Sequence, residues 1–503
     1  MKNITLLFLI FFVLYYQNCK SQIQKNYDNN FGAEFNPTGN PIGGGAGYTK
    51  NVDACDAIIF NNITVSNETT SIKFIIESEQ EFLDALIWAK NYPLVSTTIY
   101  IPFGVELDFT SHIPVGGNIS IEANNLTIAG DRGKNGSFGA LIGFLSSALQ
   151  NGQGETYKLF DVKGNNFRIT GLRISGPQEF INDEKNMDTN YSSYIGIDCS
   201  APPNTFYNIE IDNCEIMNFP RRAISLDKIS NAYIHHNFIH HSMVLHLGYG
   251  INIEKSKAIV EANIFDYCRH AITGAGFQET QYLIRYNIFL PHIYHYPLDI
   301  HNTCVYWDDV SLHDEVVEQQ NQGGDWVVIH HNSFYTDYYE ENNPAYWDVH
   351  FLLNGITGSG TDEVTDNKLR GIDLGGWPVK GSLIFNNWFK IANSAHCIAN
   401  EMYPECSNKN QLEQWLYGFP LNGFVNFTIF DNKFGTDNWG TYQNDVGYTH
   451  DWRTGDFNGD GNLDIIEINA GPNHNQFIVQ LAKQNEIGYE PGILFGNTSN
   501  TVD

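Results

Sequence analysis

A six-residue frame recurs through the middle of the chain: an aliphatic residue, two variable positions, usually Asn, one variable position, then a second large apolar residue. It occurs at Ile169/Ile174, Ile211/Ile216, Ile234/Ile239, Val260/Phe265, Ile284/Phe289, Ile329/Phe334, Ile384/Phe389 and Ile429/Phe434. The Asn slot holds Asn237, Asn263, Asn287, Asn332, Asn387 and Asn432, with Leu172 and Cys214 in the first two copies. Successive copies lie 42, 23, 26, 24, 45, 55 and 45 residues apart, which describes a coil of about two dozen residues, lengthened where a loop is inserted. Apolar residues fall two apart in strings such as Ala232-Tyr-Ile234 and Trp326-Val-Val-Ile329, the period of a strand rather than a helix. The pattern predicts an all-β fold, a parallel β-helix in which each coil stacks its inward residues on those of the next. An antiparallel sandwich needs a hairpin every ~8–12 residues and gives no reason for the recurring Asn. An Asn repeated at one corner suits a left-handed bend there and can hydrogen-bond to its copies along the stack.

Upstream, Ser78-Glu-Gln-Glu81 is a capping box that opens an amphipathic helix through Phe82, Leu86 and Ala89 towards Pro93. Such a helix is expected to plug the open end of the stack and shield its edge strands. Three strand-like strings follow, Thr98-Ile-Tyr-Ile-Pro102, Asn125-Leu-Thr-Ile-Ala-Gly-Asp131 and Phe167-Arg-Ile-Thr-Gly-Leu-Arg-Ile-Ser-Gly176. That succession resembles the entry region of the pectate-lyase-like superfamily of right-handed parallel β-helices, and the resemblance runs from about residue 70 to 440. It implies the fold and a carbohydrate-active setting, but no single activity, because the superfamily includes lyases, hydrolases, epimerases and non-catalytic adhesins. Pectate lyases themselves carry Trp-Ile-Asp-His and Arg-x-Pro-x-x-Arg segments. The nearest strings here, Gly196-Ile-Asp198-Cys199 and Pro220-Arg221-Arg222, fit neither, so their calcium ligands and catalytic arginine are not carried over.

At the amino terminus Lys2 precedes an apolar run from Ile4 to Tyr16 and then Cys19-Lys20-Ser21, the order of a signal peptide over residues 1–21. The run is shorter than the ~20 residues of a spanning helix, so an exported protein with no membrane span is expected, extracellular or periplasmic. Tyr16-Gln-Asn18 before Cys19 departs from the small residues that a lipidation site prefers. Residues 22–95 then form an amino-terminal segment with the capping helix, 96–440 the β-helix, and 441–503 a carboxy-terminal region. Cleavage leaves seven cysteines, an odd number; Cys397 and Cys406 are the local disulfide candidates, and Cys214 sits in an apolar frame that reads as core. A net charge of −29 argues against a nucleic-acid partner, since no basic surface remains to neutralise phosphates, and a monomer is expected.

Thirteen of the 17 histidines fall between His235 and His350. The pairs His235-His236 and His330-His331 adjoin the Asn corner and read mainly as stacked structural residues. A second strand of each coil carries the candidate chemistry. Aligning Arg221-Arg-Ala-Ile224, Gly248-Tyr-Gly-Ile251, Arg269-His-Ala-Ile272 and Pro297-Leu-Asp-Ile300 on the isoleucines makes those residues one inward column. The column before Ile then reads Ala223, Gly250, Ala271 and Asp299, expected to face solvent as a shallow floor. The column after reads Ser225, Asn252, Thr273 and His301. At the strand entry Arg222, Tyr249 and His270 line a rim, on coils ~4.8 Å apart.

A long flat face of this kind suits an extended polysaccharide, and Tyr294, Tyr296, Tyr306, Trp307 and Trp347 are candidates for stacking on sugars. Between Arg221 and His301 there are seven Lys/Arg and six Asp/Glu, so this stretch carries +1 and the remainder −30, a near-neutral strip able to accept an anionic glycan. β-Elimination on a uronic-acid-containing polymer needs a neutralised carboxylate, a base and an acid. Arg222 or Arg269 can neutralise, His270 abstract the proton and Tyr249 donate one, with Asn252, Asp299 and His301 binding sugar or orienting the base. A glycoside hydrolase instead needs two carboxylates, and Asp299 with Asp308 or Asp309 can supply them. A non-catalytic carbohydrate-binding or adhesive protein is the reading from a different class.

Near the carboxy terminus stands Asp456-Phe-Asn458-Gly-Asp460-Gly461-Asn462-Leu-Asp464-Ile-Ile-Glu467. Oxygen side chains at positions 1, 3, 5, 9 and 12 with Gly at 6 complete a calcium-loop pattern, in which Asn462 at position 7 contributes its carbonyl. The flanks lack helical periodicity, so a structural Ca²⁺ that staples the tail is expected, in a loop similar to those of exported repeat modules.

Overall fold

The computed structural model describes residues 32–335 apart from 61–68, 112–117, 146–155, 178–193, 201–205, 243–246, 291, 294–296 and 302–322, and thereafter segments between Ile372 and Asn497. Its main body is a parallel β-helix with three long faces. The first sheet has 12 strands, the second 11 and the third nine, and the coils of the middle contribute one strand to each. One coil runs Ala232–His235, Phe238–Ser242, Tyr249–Glu254; the next runs Lys257–Glu261, Ile264–Cys268, His270–Gly274. Pairing between coils is parallel, and only the last strand of the second sheet turns antiparallel.

The recurring frame is the register of this stack. Ile169, Ile211, Ile234, Val260, Ile284, Ile329, Ile384 and Ile429 pair in sequence on the first sheet. Ile174, Ile216, Ile239, Phe265, Phe289, Phe334, Phe389 and Phe434 do the same on the second. The side chains described in these columns join one continuous hydrophobic core, and Cys214 lies fully buried within it.

The Asn slot does something different from the expected bend. The left-handed residue is the one before it: Asn213, His236, Ala262, Tyr286, His331 and Asn386 have φ between 51° and 57°. The Asn itself turns inward to form a buried ladder. Asn237 donates from its backbone N and Nδ2 to Asn263 Oδ1 at 2.9 and 3.0 Å, and Asn263 donates likewise to Asn287, Asn287 to Asn332 and Asn332 to Asn387. Each Nδ2 also donates to a backbone carbonyl, so a polar column sits in the core with its hydrogen bonds satisfied. Asn also takes a left-handed bend in a second, exposed ladder, in which Asn125, Asn166 and Asn208 have φ of 55–57° and link by side chain.

The predicted helix spans Glu79–Asn91, with Ser78 accepting from the Glu81 N–H. Glu81 reaches back to the N–H of Glu77 rather than of Ser78, so the box closes one residue early. Phe82, Ala85, Leu86 and Ala89, a helical stripe, enter the common core. The first sheet continues past the helix to an edge strand, Ile58–Ile59, whose two side chains are exposed.

Ahead of that strand, residues 32–57 run back along the corner between the first and second sheets. Gly32 N–H meets Asn386 O, Ala33 N–H meets Ser333 Oγ, Thr38 Oγ1 lies 2.9 Å from His236 Nε2, and Tyr48 OH donates to Asp212. Phe35 stacks on His331 at 5.1 Å. The strap passes so close that a Cβ at Gly44 (φ 68°) would lie 2.3 Å from the His236 carbonyl oxygen.

A separate antiparallel sheet of four strands closes the chain. Strands Asp451–Gly455 and Asp464–Ala470 pair with Gly455 opposite Asp464, so the expected calcium loop joins two strands. Residues 456–463, with Asp456, Asn458, Asp460 and Asn462, lie outside the described residues. Asp464 opens the second strand, and Glu467 lies three residues further along, opposite Trp452. The expected signal peptide, Cys397, Cys406 and the region of Asp308 and Asp309 also lie outside, as do Tyr294, Tyr296, Tyr306, Trp307 and Trp347.

Candidate functional site

The third sheet brings the predicted rim together. Arg222 pairs with Tyr249 and Tyr249 with His270, on strands Arg222–Asp227, Tyr249–Glu254 and His270–Gly274. The small-residue column beside them is not a solvent-facing floor. Ala223 and Ala271 are fully buried in the core, and a Cβ added at Gly250 would come within 3.3 Å of the Phe265 ring. Those small residues let core phenylalanines press against the sheet from inside.

A second correction concerns the last strand, Leu298–Ile300. Ile272 pairs with Leu298, Thr273 with Asp299 and Gly274 with Ile300, a slip of two residues from the alignment on isoleucine. Parity survives the slip, so the core column simply ends in Leu298. Asp299, however, moves into the outward column behind Ser225, Asn252 and Thr273. That column extends further than the sequence suggested, since Asp198 pairs with Ser225 and Asp161 with Asp198 before it, and Asp373 pairs with Asp299 after it. Lys158 forms ion pairs with Asp161 and Asp198, and Lys163 with Asp161 at 2.6 Å. Burial opposes it, yet Asp198 and Asp161 hold the Lys158 ammonium above its ordinary pKa.

At the other end Asp299 lies between two imidazoles: its Oδ2 is 3.1 Å from Nε2 of both His270 and His301. The two histidines differ in access. His270 is 0% exposed and His301 24%, so His301 is the imidazole of the pair that a ligand can reach. Tyr249 lies half-buried beside them, its ring centroid 5.8 Å from that of His270. Burial raises the Tyr249 phenol pKa against the pull of neighbouring Arg269, which also hydrogen-bonds it. The phenol therefore keeps its proton at neutral pH and is equipped to donate it. Asn252 accepts from Thr273 Oγ1 at 3.0 Å and donates to Glu254 at 2.8 Å. Arg222 donates to Ser225 Oγ at 3.1 Å and to Glu254 at 3.4 Å.

Sequence reasoning missed Asp161, Asp198 and Asp373, although a signal was present. Phe160-Asp161-Val162, Ile197-Asp198-Cys199, Leu298-Asp299-Ile300 and Ile372-Asp373-Leu374 share one form, an Asp between two apolar residues. A third-sheet strand with that form presents its carboxylate on the outer face.

Among the described residues, one other cluster has ligand spacing. Glu210, Asp212 and His235 place ligand atoms within 4.8 Å of one another on the first sheet. Arg168, however, grips both Asp212 oxygens at 2.8 Å, and Tyr48 and Thr170 donate to the same carboxylate. The guanidinium already supplies the positive charge there, so the cluster reads as structural. Comparison with family models, curated proteins and solved structures gave no match, so the site is interpreted from its own geometry.

Proposed function

We propose that this chain is an exported polysaccharide lyase of the pectate-lyase-like superfamily, cleaving a uronic-acid-containing polymer by β-elimination on the outer face of the third sheet. The observation that carries this reading is the meeting of an accessible imidazole, a protonated phenol and an arginine within one cluster: His301, Tyr249 and Arg269, organised around Asp299. Arg269 neutralises the substrate carboxylate, which acidifies the adjacent ring proton. His301 takes that proton, a carbon–carbon double bond forms, the glycosidic carbon–oxygen bond breaks, and Tyr249 protonates the departing oxygen. Asp299 fixes both imidazoles, and His270, wholly buried behind it, is a positioning residue rather than the base. Arg222 contacts sugars further along the face, and Asn252, buried and bonded to Thr273 and Glu254, is a positioning residue.

Incubation with a panel of polysaccharides, read by absorbance near 235 nm and by reducing ends, tests the reading. Both signals are expected to rise. His301→Ala is expected to cut the ultraviolet signal by about 10²–10⁴-fold with the fold intact. Full retention of that signal removes His301 as base. Reducing ends without ultraviolet product favour a hydrolase, a second reading that has its own support: Asp299 and Asp373 are paired on neighbouring strands. No product of either kind, with binding, favours an adhesive role. In the tail, we assign a structural Ca²⁺ to Asp456, Asn458, Asp460, Asn462, Asp464 and Glu467 as its candidate ligands.

A further inference from the structure

Midway along the same face, two consecutive arginines stand side by side. Arg221 donates from Nη1 to Thr156 Oγ1 at 2.8 Å, and it has no carboxylate within ion-pair distance among the described residues. Arg222 reaches Glu254 only at 3.4 Å, and Glu254 also accepts from Asn252. The Nε–H groups of both arginines are buried and lack a hydrogen-bond partner. Burial and the charge of Arg222 push the Arg221 pKa down. Stranded donors and adjacent like charges both destabilise a fold, so the arrangement costs stability unless something else satisfies it. The backbone here does not depend on the side chain: Arg221 N–H meets Tyr194 O, and Gly248 and Tyr249 N–H meet Arg221 O.

We propose that Arg221 and Arg222 form an anion subsite for a second charged group of the polymer, a carboxylate or a sulfate ester. The strand of Arg222 is two coils from that of His270, about 10 Å along the stack at the usual strand spacing. The preferred substrate is therefore charged on more than one sugar, one group at Arg269 and another at the arginine pair. This rests on the lyase reading for the first group, whereas the anion subsite itself does not.

Calorimetric titration of the full chain tests it with three probes: hexagalacturonate, a chondroitin 4-sulfate hexasaccharide and a neutral galactan hexasaccharide. At least one charged probe is expected to bind more than tenfold tighter than the neutral one, and which of the two does so separates carboxylate from sulfate recognition. Arg221→Gln is expected to remove about tenfold of that preference, the worth of one charged hydrogen bond. Its Tm is expected to stay level or rise, because the substitution relieves repulsion. Equal binding of charged and neutral probes, no binding of any, or an unchanged preference in Arg221→Gln overturns the proposal. A weakened charged-probe affinity in Arg221→Gln with no unsaturated product from any polymer keeps the subsite and removes the elimination. Unsaturated product with unchanged Arg221→Gln affinity does the reverse.

Discussion

The corner between the first two sheets and the outer face of the third are both rich in histidine, and they use it differently, although His235 at the corner also lies 3.1 Å from Glu210. At the corner imidazoles pair with each other: His235 Nδ1 lies 2.8 Å from His236 Nδ1, and His330 Nδ1 2.9 Å from His331 Nδ1. Such a contact needs one ring as donor and the other as acceptor. The Asn ladder beside them is likewise saturated, and the strap of residues 32–57 covers it. On the third sheet the imidazoles meet a carboxylate, a phenol meets an arginine, and two guanidinium groups keep donors without partners. Histidine density alone therefore says little. A polar group that completes its bonds within the stack belongs to the architecture, and one held beside unbalanced charge points to a ligand.

The sharpest way to break this contrast is to exchange one member of each set. Asn287 donates to Val260 O, Arg285 O and Asn332 Oδ1, and accepts from the backbone N–H and Nδ2 of Asn263. Asn287→Leu keeps the volume and strands those partners in a fully buried column. A loss of more than about 3 kcal/mol in urea unfolding is expected. His301→Ala on the face should change stability by less than about 1 kcal/mol. Equal losses would erase the distinction between corner and face.

How much of this was legible depended on whether a residue's partner repeats. The paired aliphatic columns were readable because every coil restates them, and the register followed directly. The bend was misassigned because Asn favours it intrinsically, whereas the residues that adopt it are as different as His236, Ala262 and Tyr286 and carry no shared signal. The last third-sheet strand slipped because Leu298 and Ile300 lie two apart, so either can fill the inward position. Only the pairing decides, and with it the column in which Asp299 stands. The choice between His270 and His301 turns on burial, which spacing does not contain.

A smaller effect should follow from acid. Burial, then the adjacent His235 or His240, pushes the pKa of His236 and that of His241 down to about 4, and burial with Arg285 takes His331 down to about 3. In the unfolded chain these groups titrate near 6.5, so the unfolded state binds protons first as pH falls. Their contribution is fully present above about pH 6.5 and is lost progressively through pH 4 towards 3. Tm is expected to decline over that window, and the decline to flatten in His236→Asn/His331→Asn. Asn already occupies this corner at Asn213 and Asn386 with the same left-handed φ, so the double variant should fold. An unchanged slope would mean that other groups govern the acid limb.

The smallest expected effect lies in the tail. Four of the six candidate calcium ligands fall in the turn between Asp451–Gly455 and Asp464–Ala470, and Asp464 stands at its exit, paired with Gly455. Glu467 is three residues into the ladder, about 10 Å further along at a strand's rise. In a helix-loop-helix site the twelfth residue returns to the ion because the exiting helix begins under it. A strand carries it away instead. Chelation of Ca²⁺ is therefore expected to lower one melting transition, that of the four-stranded sheet, and to leave the solenoid's in place. Asp460→Asn should reproduce the effect of chelation, and Glu467→Gln should shift calcium affinity by less than Asp460→Asn does. A Glu467→Gln loss as large as that of Asp460→Asn would show that the strand register near this loop yields when the ion binds.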